Sequence, residues 1–316
     1  MDTQLGLNDT AQKVFIMLGQ KFPQTAKGIS SQDAALKLYE DKKDYVSANS
    51  YLAQLVQLNK EPQRLSRLKL AYEDSFFKAS ESFEAKKKYK KANNYLAAFI
   101  TKGYDPSKKT MASWNMALNY KKAKSWNNAG AQFTKFYKQN PRHENALPAL
   151  NEALEIYKKR KQYANVAGTA QLLEVADSGN TQAWKWVKTD NLIKAKSYKT
   201  AQVEATNLLH SSDSKVSESM HQRLFDFVEK PRHKFYPFAV ATLKRSGKEP
   251  FKSEAWYKEA EYAYKSKKYT KMNSNIRVVR GSSSASREVK ARATFCLLYT
   301  SPSPRDATLS RMPSSA

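Results

Sequence analysis

The residues that could do chemistry in this chain are its histidines, a few paired carboxylates and many lysines. A zinc site needs histidine, cysteine or carboxylate ligands at close spacing, as in HExxH. No such spacing occurs, the single cysteine is Cys296, and the histidines are His143, His210, His221 and His233. The motifs GxSxG, GxxxxGK[ST] and GxGxxG are also missing. The sequence therefore predicts no metal, no cofactor and no catalytic residue.

Paired carboxylates are the other candidates for acid–base chemistry. They are Glu152 with Glu155, and Glu259 with Glu261. Both pairs lie on lysine-rich helical stretches, where solvated ion pairs are the ordinary explanation. We therefore expect this region not to be an enzyme, although a catalytic domain encoded beyond Phe295 stays open.

Lysine is the dominant charge and recurs inside one short sequence patch. The chain has 55 basic residues against 29 acidic ones, and only 13 of the basic residues are arginine. The patch consists of an apolar, often aromatic residue, five positions rich in lysine, and then a large ring. Its six copies are Tyr39 to Tyr45, Phe83 to Tyr89, Tyr120 to Trp126, Tyr157 to Tyr163, Leu192 to Tyr198 and Ala263 to Tyr269. The second ring advances by 44, 37, 37, 35 and 71 positions, and the last step is two periods.

A period of about 35 residues is typical of stacked helical hairpins, which bury a core only against their neighbours. The nine glycines and the abundance of Ala, Lys, Leu, Glu and Gln also favour helices. Each patch then marks the end of a first helix, a turn, and the start of a second helix. In the first hairpin, Ser30 or Ser31 is expected to cap a helix over 32–42, and the second helix carries Tyr45. The prediction is an all-α, right-handed α-solenoid of about six hairpins.

The third copy, WNMALNYKKAKSWNNAGAQFTKFYKQNP, carries a family resemblance. Its packing residues fall where tetratricopeptide repeats place theirs; they are Trp114, Ala117, Tyr120, Trp126, Ala129, Phe133, Phe136 and Pro141. The chain thus resembles a tetratricopeptide-like, lysine-rich repeat protein of bacterial type. Residues 1–28 are then the second helix of a preceding repeat, and 29–209 are the repeats. A degenerate repeat with Pro231 in its turn covers 210–253, and 254–295 hold one more repeat and the start of a further helix.

The resemblance implies a concave groove lined by the inner faces of the first helices. Such a groove binds an extended peptide or a helix, with lysine and asparagine holding acidic or backbone groups and rings supplying apolar area. The positions that match this face are Trp114, Asn115, Lys121, Lys122, Asn151, Lys158, Trp186 and Lys194.

Residues 296–316, CLLYTSPSPRDATLSRMPSSA, resemble a translated sequencing adapter. The adapter TGT CTC TTA TAC ACA TCT encodes Cys296 to Ser301, and a second adapter block encodes Ser310 to Ala316. We therefore expect an artefactual, disordered tail and a natural chain that continues past Phe295. Without the tail the net charge falls from +26 to +25 because Arg305, Asp306 and Arg311 are removed.

These observations predict a noncatalytic scaffold that binds peptide or protein partners, with a basic, lysine-rich edge formed by the turns. One alternative is a nonspecific polyanion-binding module for nucleic acid or an acidic envelope polymer, with the scarcity of arginine arguing against sequence-specific reading. A second alternative is the accessory superhelix of a cell-wall enzyme. No membrane-spanning run is present. The location is expected to be the bacterial envelope or periplasm if the N-terminus is truncated, and otherwise the cytoplasm.

Overall fold

The computed structural model describes residues 2–298, and over this range it contains sixteen α-helices and no strand. The predicted all-α class is therefore confirmed. The chain divides into two compact units, with the boundary after Lys161. None of the helices described is both long and apolar enough to cross a membrane.

The first unit contains α1 to α8, and each helix packs against the next one along the chain. Its core includes Leu55, Phe76, Leu96 and Phe99, which are at most 2% exposed. The helices are α1 (Asp2–Lys21), α2 (Ala26–Asp41), α3 (Tyr45–Leu58), α4 (Pro62–Ala85), α5 (Tyr89–Lys102), α6 (Pro106–Lys122), α7 (Trp126–Gln139) and α8 (Ala146–Lys159). This unit thus consists of consecutive helical hairpins sharing one apolar interior.

The second unit contains α9 to α16, again packed in chain order. In addition, α12 contacts both α10 and α14, so alternate helices form a layer of their own. The helices are α9 (Tyr163–Ala176), α10 (Thr181–Lys194), α11 (Tyr198–Leu209), α12 (Ser214–Val228), α13 (Tyr236–Ser246), α14 (Phe251–Lys265), α15 (Tyr269–Gly281) and α16 (Arg287–Leu298). The stretch read as a degenerate repeat forms the hairpin α12–α13, and Pro231 lies in its connection.

The second ring of each recurring patch is the first residue of a helix. The six rings open α3, α5, α7, α9, α11 and α15. Four alanines expected to let helices approach closely are also buried, namely Ala48, Ala92, Ala129 and Ala201. The interpretation of the patch as helix end, turn and helix start is therefore confirmed.

The predicted start of the first hairpin is wrong by six residues. Helix α2 begins at Ala26 because Thr25 caps it, its Oγ1 accepting the Gly28 amide at 3.1 Å. Ser31 lies inside the helix, where its hydroxyl donates to the Lys27 carbonyl at 2.8 Å. A Cβ on Gly28 would lie 1.8 Å from the Phe22 carbonyl oxygen, so only glycine allows this tight entry.

The last helix runs through the position where the adapter-like sequence begins. Helix α16 ends at Leu298, and Cys296 and Leu297 pack against the apolar cluster of α14 and α15. Residues 299–316 lie outside the described part of the chain. The artefactual origin of the tail therefore stays a prediction.

Candidate functional site

Trp114, one of the two rings predicted for the groove, belongs to the packing between α6 and α7. Its ring centroid lies 5.4 Å from that of Phe133 and 5.4 Å from that of Phe136. Both phenylalanines are fully buried, and Trp114 is half-buried against them. On the neighbouring positions, Asn115 is half-buried and Asn151 is exposed on α8. Most of the Trp114 ring is therefore occupied by its own hairpin.

The four lysines predicted for the groove each have an acidic partner within their own unit. The ion pairs, with their N–O distances, are Lys121–Glu152 at 2.7 Å, Lys122–Glu84 at 3.3 Å, Lys158–Glu155 at 3.2 Å and Lys194–Asp190 at 2.5 Å. Two of these pairs join different helices, α6 to α8 and α6 to α4. These lysines therefore already hold carboxylates of their own chain, and binding an acidic partner would require breaking those pairs.

Trp186, the other predicted ring, lines an open groove in the second unit. The groove has a volume of about 550 Å³ and lies against α10, α12 and the first residue of α14, Phe251. Its wall on α12 is polar and carries both signs of charge; the residues are Lys215, Glu218, Ser219, Gln222, Arg223 and Asp226. One predicted groove ring thus does lie at a surface depression, and a second ring, Phe251, also lines it.

Arg223, which sequence reasoning missed, is fixed at this wall by a buried carboxylate. Asp190 is 5% exposed, and its Oδ1 lies 2.8 Å from Arg223 Nε. The guanidinium carbon also sits 4.9 Å above the centre of the Phe227 ring. The signal in the sequence was weak, since a lone aspartate in α10 does not reveal a partner 33 positions later. The paired Arg223 gives the groove a rigid edge.

In six hairpins the turn after the first helix places a lysine in the left-handed region. Six residues other than glycine have positive φ, between 53° and 63°: Lys43, Lys87, Lys124, Lys161, Lys196 and Lys267. In the third turn the Lys124 amide donates to the Lys121 carbonyl at 3.0 Å, and the Ser125 amide donates to the Tyr120 carbonyl at 2.9 Å. These are the bonds of a Schellman C-cap. The recurring patch is therefore this cap together with the first residue of the following helix.

Glycine is the residue that this conformation favours, because a Cβ costs about 1–2 kcal/mol there. Among the described residues no glycine has positive φ. A cation at a helix C-terminus returns only about 0.3–1 kcal/mol through the macrodipole. The six lysines therefore occupy a backbone conformation that glycine would adopt at lower cost. All six are exposed, and none of them has an acidic partner within the ion pairs of residues 2–298.

The second, third and fourth turns form what we name the basic edge of the first unit. It consists of nine exposed cations that take part in no ion pair of the described chain: Lys86, Lys87, Lys88, Lys90, Lys91, Lys124, Lys159, Arg160 and Lys161. The nearby Glu84, Glu152 and Glu155 are held by other lysines. The first turn differs, because Asp41 and Asp44 flank Lys43 and bring the net charge of this turn close to zero.

One predicted carboxylate pair departs from expectation. Glu259 was expected in a solvated ion pair, but it is 8% exposed and lies between Lys244 at 2.5 Å and Lys271 at 2.8 Å. Burial raises the pKa of Glu259, but hydrogen bonds from the two lysines outweigh it and leave the pKa below its usual value. Asn275 adds a bond at 3.1 Å. Glu259 therefore ties α13, α14 and α15 together.

His221 is also enclosed, at 1% exposure. Its Nε2 accepts the Lys248 amide at 3.0 Å, so Nδ1 carries the proton and donates to the Ser217 carbonyl at 2.8 Å. Burial lowers the pKa of this ring below its usual value of 6.5. No group of three or more histidine, cysteine or acidic side chains over the described range is placed to hold a metal.

No protein-family model and no curated protein sequence matches the chain significantly. Among solved structures, the apo form of RapI is similar over 90% of this chain and 99% of that protein, with 12% identity and a TM-score of 0.30. A likeness this low carries no argument. The helical-repeat class rests on the helices and turns described above, and the tetratricopeptide resemblance stays a prediction.

Proposed function

We propose that the protein is a noncatalytic interaction scaffold that binds a peptide segment of a partner in the groove beside Trp186. The observation that supports this is the combination of two rings, Trp186 and Phe251, with a polar wall of both charge signs. Interfaces draw most of their affinity from buried aromatic and arginine anchors surrounded by polar contacts. A fold of helical hairpins is compatible with this role, because it presents side chains of several helices on one face.

The chemistry of the groove specifies the kind of segment. A volume of about 550 Å³ holds one or two large side chains. The rings favour an apolar anchor, while Lys215 and Glu218 are both exposed beside it and favour flanking residues of opposite charge. The expected ligand is therefore an amphipathic peptide with an apolar residue between an acidic and a basic one.

The test is to select binders from a random peptide library on the intact protein and to measure their Kd values by fluorescence anisotropy. Ser219 is exposed on the groove wall, so Ser219→Trp should fill the groove without disturbing the core and weaken binding at least tenfold. Trp186→Ala should do the same by removing an anchor, with a loss of about 2 kcal/mol or more.

Trp114→Ala is the matched control, since that ring packs against its own hairpin. It should lower stability while leaving the Kd within about threefold at a temperature where the protein stays folded. Peptides that bind Ser219→Trp as tightly as they bind the unaltered protein would show that the groove is not the site.

A further inference from the structure

We infer that the basic edge of the first unit binds a linear phosphodiester chain by contacting the negatively charged phosphates of that chain. This site is separate from the groove proposed above, lies in the other unit and takes a different ligand.

The first argument is conformational. Each turn of the edge has a lysine where glycine would be less strained, at Lys87, Lys124 and Lys161. The glycines of the described chain are used elsewhere, always with negative φ. Sequence choices that break a local structural preference are expected at functional positions. A lysine at this strained position in all three turns of the edge indicates that the charge itself is needed there.

The second argument is electrostatic. Two of the acidic residues on these helices are already occupied: Glu84 by Lys122 at 3.3 Å and by Asn119 at 2.8 Å, and Glu152 by Lys121 at 2.7 Å. These pairs consume carboxylates that would otherwise neutralise the turns. The nine cations of the edge are left facing solvent. A cluster of exposed like charges attracts a polyanion. The counterions condensed on the polyanion are then released, and this release drives binding.

The third argument concerns spacing. The contact between Glu84 and Lys122 joins the end of α4 to the end of α6, and Lys121 with Glu152 continues the connection to α8. Lys122 is the last residue of α6 and Glu84 lies one residue before the end of α4, so their contact at 3.3 Å keeps the second and third turns within the reach of a lysine side chain. One linear polyanion can therefore contact all three turns of the edge.

The fourth argument selects the ligand. Eight of the nine cations are lysines, which act as hydrated point charges and bind phosphate without a fixed orientation, as suits a chain that carries one charge at every link. The rings beside them, Tyr89 and Trp126, are half-buried as the first residues of α5 and α7. Stacking of bases on such rings is tolerant of sequence, because every base has a π-face. The edge should therefore bind phosphates and ignore base identity.

The test uses the full chain and a fluorescein-labelled oligothymidylate of about 20 nucleotides, long enough to span several site sizes. Anisotropy titrations between about 50 and 200 mM KCl give the slope of log K against log salt, which is about −0.7 for each phosphate contacted. The triple variant Lys87→Gly, Lys124→Gly, Lys161→Gly should weaken that slope by about 2 without lowering Tm. The same positions changed to arginine should keep the slope.

Lys43→Gly is the matched control, because it alters the same left-handed position in a turn that Asp41 and Asp44 already neutralise. Its slope should stay within error of the unaltered protein. An oligoadenylate of equal length should bind as tightly as the oligothymidylate. A triple glycine variant that keeps the full slope would overturn the inference. So would polyglutamate that displaces the oligonucleotide at a lower charge concentration, which would assign the edge to acidic polypeptides.

Discussion

Replacing Glu73 should cost the first unit far more stability than replacing an exposed glutamate. Glu73 lies in the middle of α4 at 2% exposure. Its Oε1 accepts the amides of Tyr104 and Asp105 at 2.6 and 2.8 Å, and Lys108 lies 3.6 Å from Oε2. The two amides directly precede α6, so one carboxylate fixes the start of a helix that begins 33 residues later.

The magnitude follows from these contacts. A hydrogen bond to a charged group contributes about 1.5–3 kcal/mol, and the carboxylate also faces the positive end of the α6 dipole. Glu73→Ala removes both bonds and leaves two amides without their acceptor, so we expect a loss of about 3–4 kcal/mol. Glu73→Gln keeps an acceptor oxygen but removes the charge, so we expect a loss of about 1–2 kcal/mol.

The assay is urea unfolding followed by circular dichroism, together with amide hydrogen exchange at Tyr104 and Asp105. The two amides should lose protection in Glu73→Ala while amides of α14 and α15 keep theirs. Glu81 is exposed on the same helix, so Glu81→Ala is the control and should change stability by less than about 0.5 kcal/mol. If Glu73→Ala behaved like Glu81→Ala, the carboxylate would not be what holds the start of α6.

Two further predictions concern buried polar groups of the second unit. His221 has a pKa below 6.5 in the folded protein, so the unfolded chain binds the proton more tightly; stability should be constant above about pH 7.5 and fall as the pH drops through 6.5, by about 1.4 kcal/mol per unit until the folded pKa is reached. Urea midpoints at several pH values should show this slope, which His221→Gln should reduce and the exposed His210→Gln should leave intact; the remainder comes from His233, whose pKa burial also lowers. The hydroxyl of Tyr236 is buried without a hydrogen-bond partner and burial raises its pKa to about 12, so Tyr236→Phe should stabilise the protein by up to about 1 kcal/mol. A loss of stability in Tyr236→Phe would mean that the hydroxyl has a partner.

The sequence located helix starts well where one physical cause dominates. The second ring of each patch is the first residue of a helix, because it follows a C-cap. The hydrogen bonds of this cap fix the direction in which the chain continues. The start of α2 was misplaced because Ser31 and Thr25 are both good caps, and the choice depends on Gly28 passing close to Phe22. Such a close backbone contact depends on the tertiary structure, which residue type alone does not specify.

The two predicted groove rings show why the site was harder to predict than the fold. Trp114 and Trp186 occupy equivalent positions in their repeats, but Trp186 borders an open groove whereas Trp114 packs on two phenylalanines. Around Trp114, the following helix supplies Phe133 and Phe136, which cover the ring. Opposite Trp186, α12 presents Ser219 and other polar side chains instead of rings. Trp186 also packs against the apolar cluster of its unit. Whether such a ring reaches a groove as well depends on the facing helix, which the repeat pattern does not specify.

The lysines likewise fall into two groups, according to whether an acidic residue faces them. Those inside the last turns of α6, α8 and α10 meet glutamate or aspartate of their own unit, so they connect helices. Those in the turns themselves lie beyond the reach of these acids and stay unpaired, at a backbone position where glycine would be the easier choice. A high net charge alone does not separate these two groups. Pairing and backbone conformation do, and they distinguish the unpaired lysines of the turns from the lysines that hold the helices together.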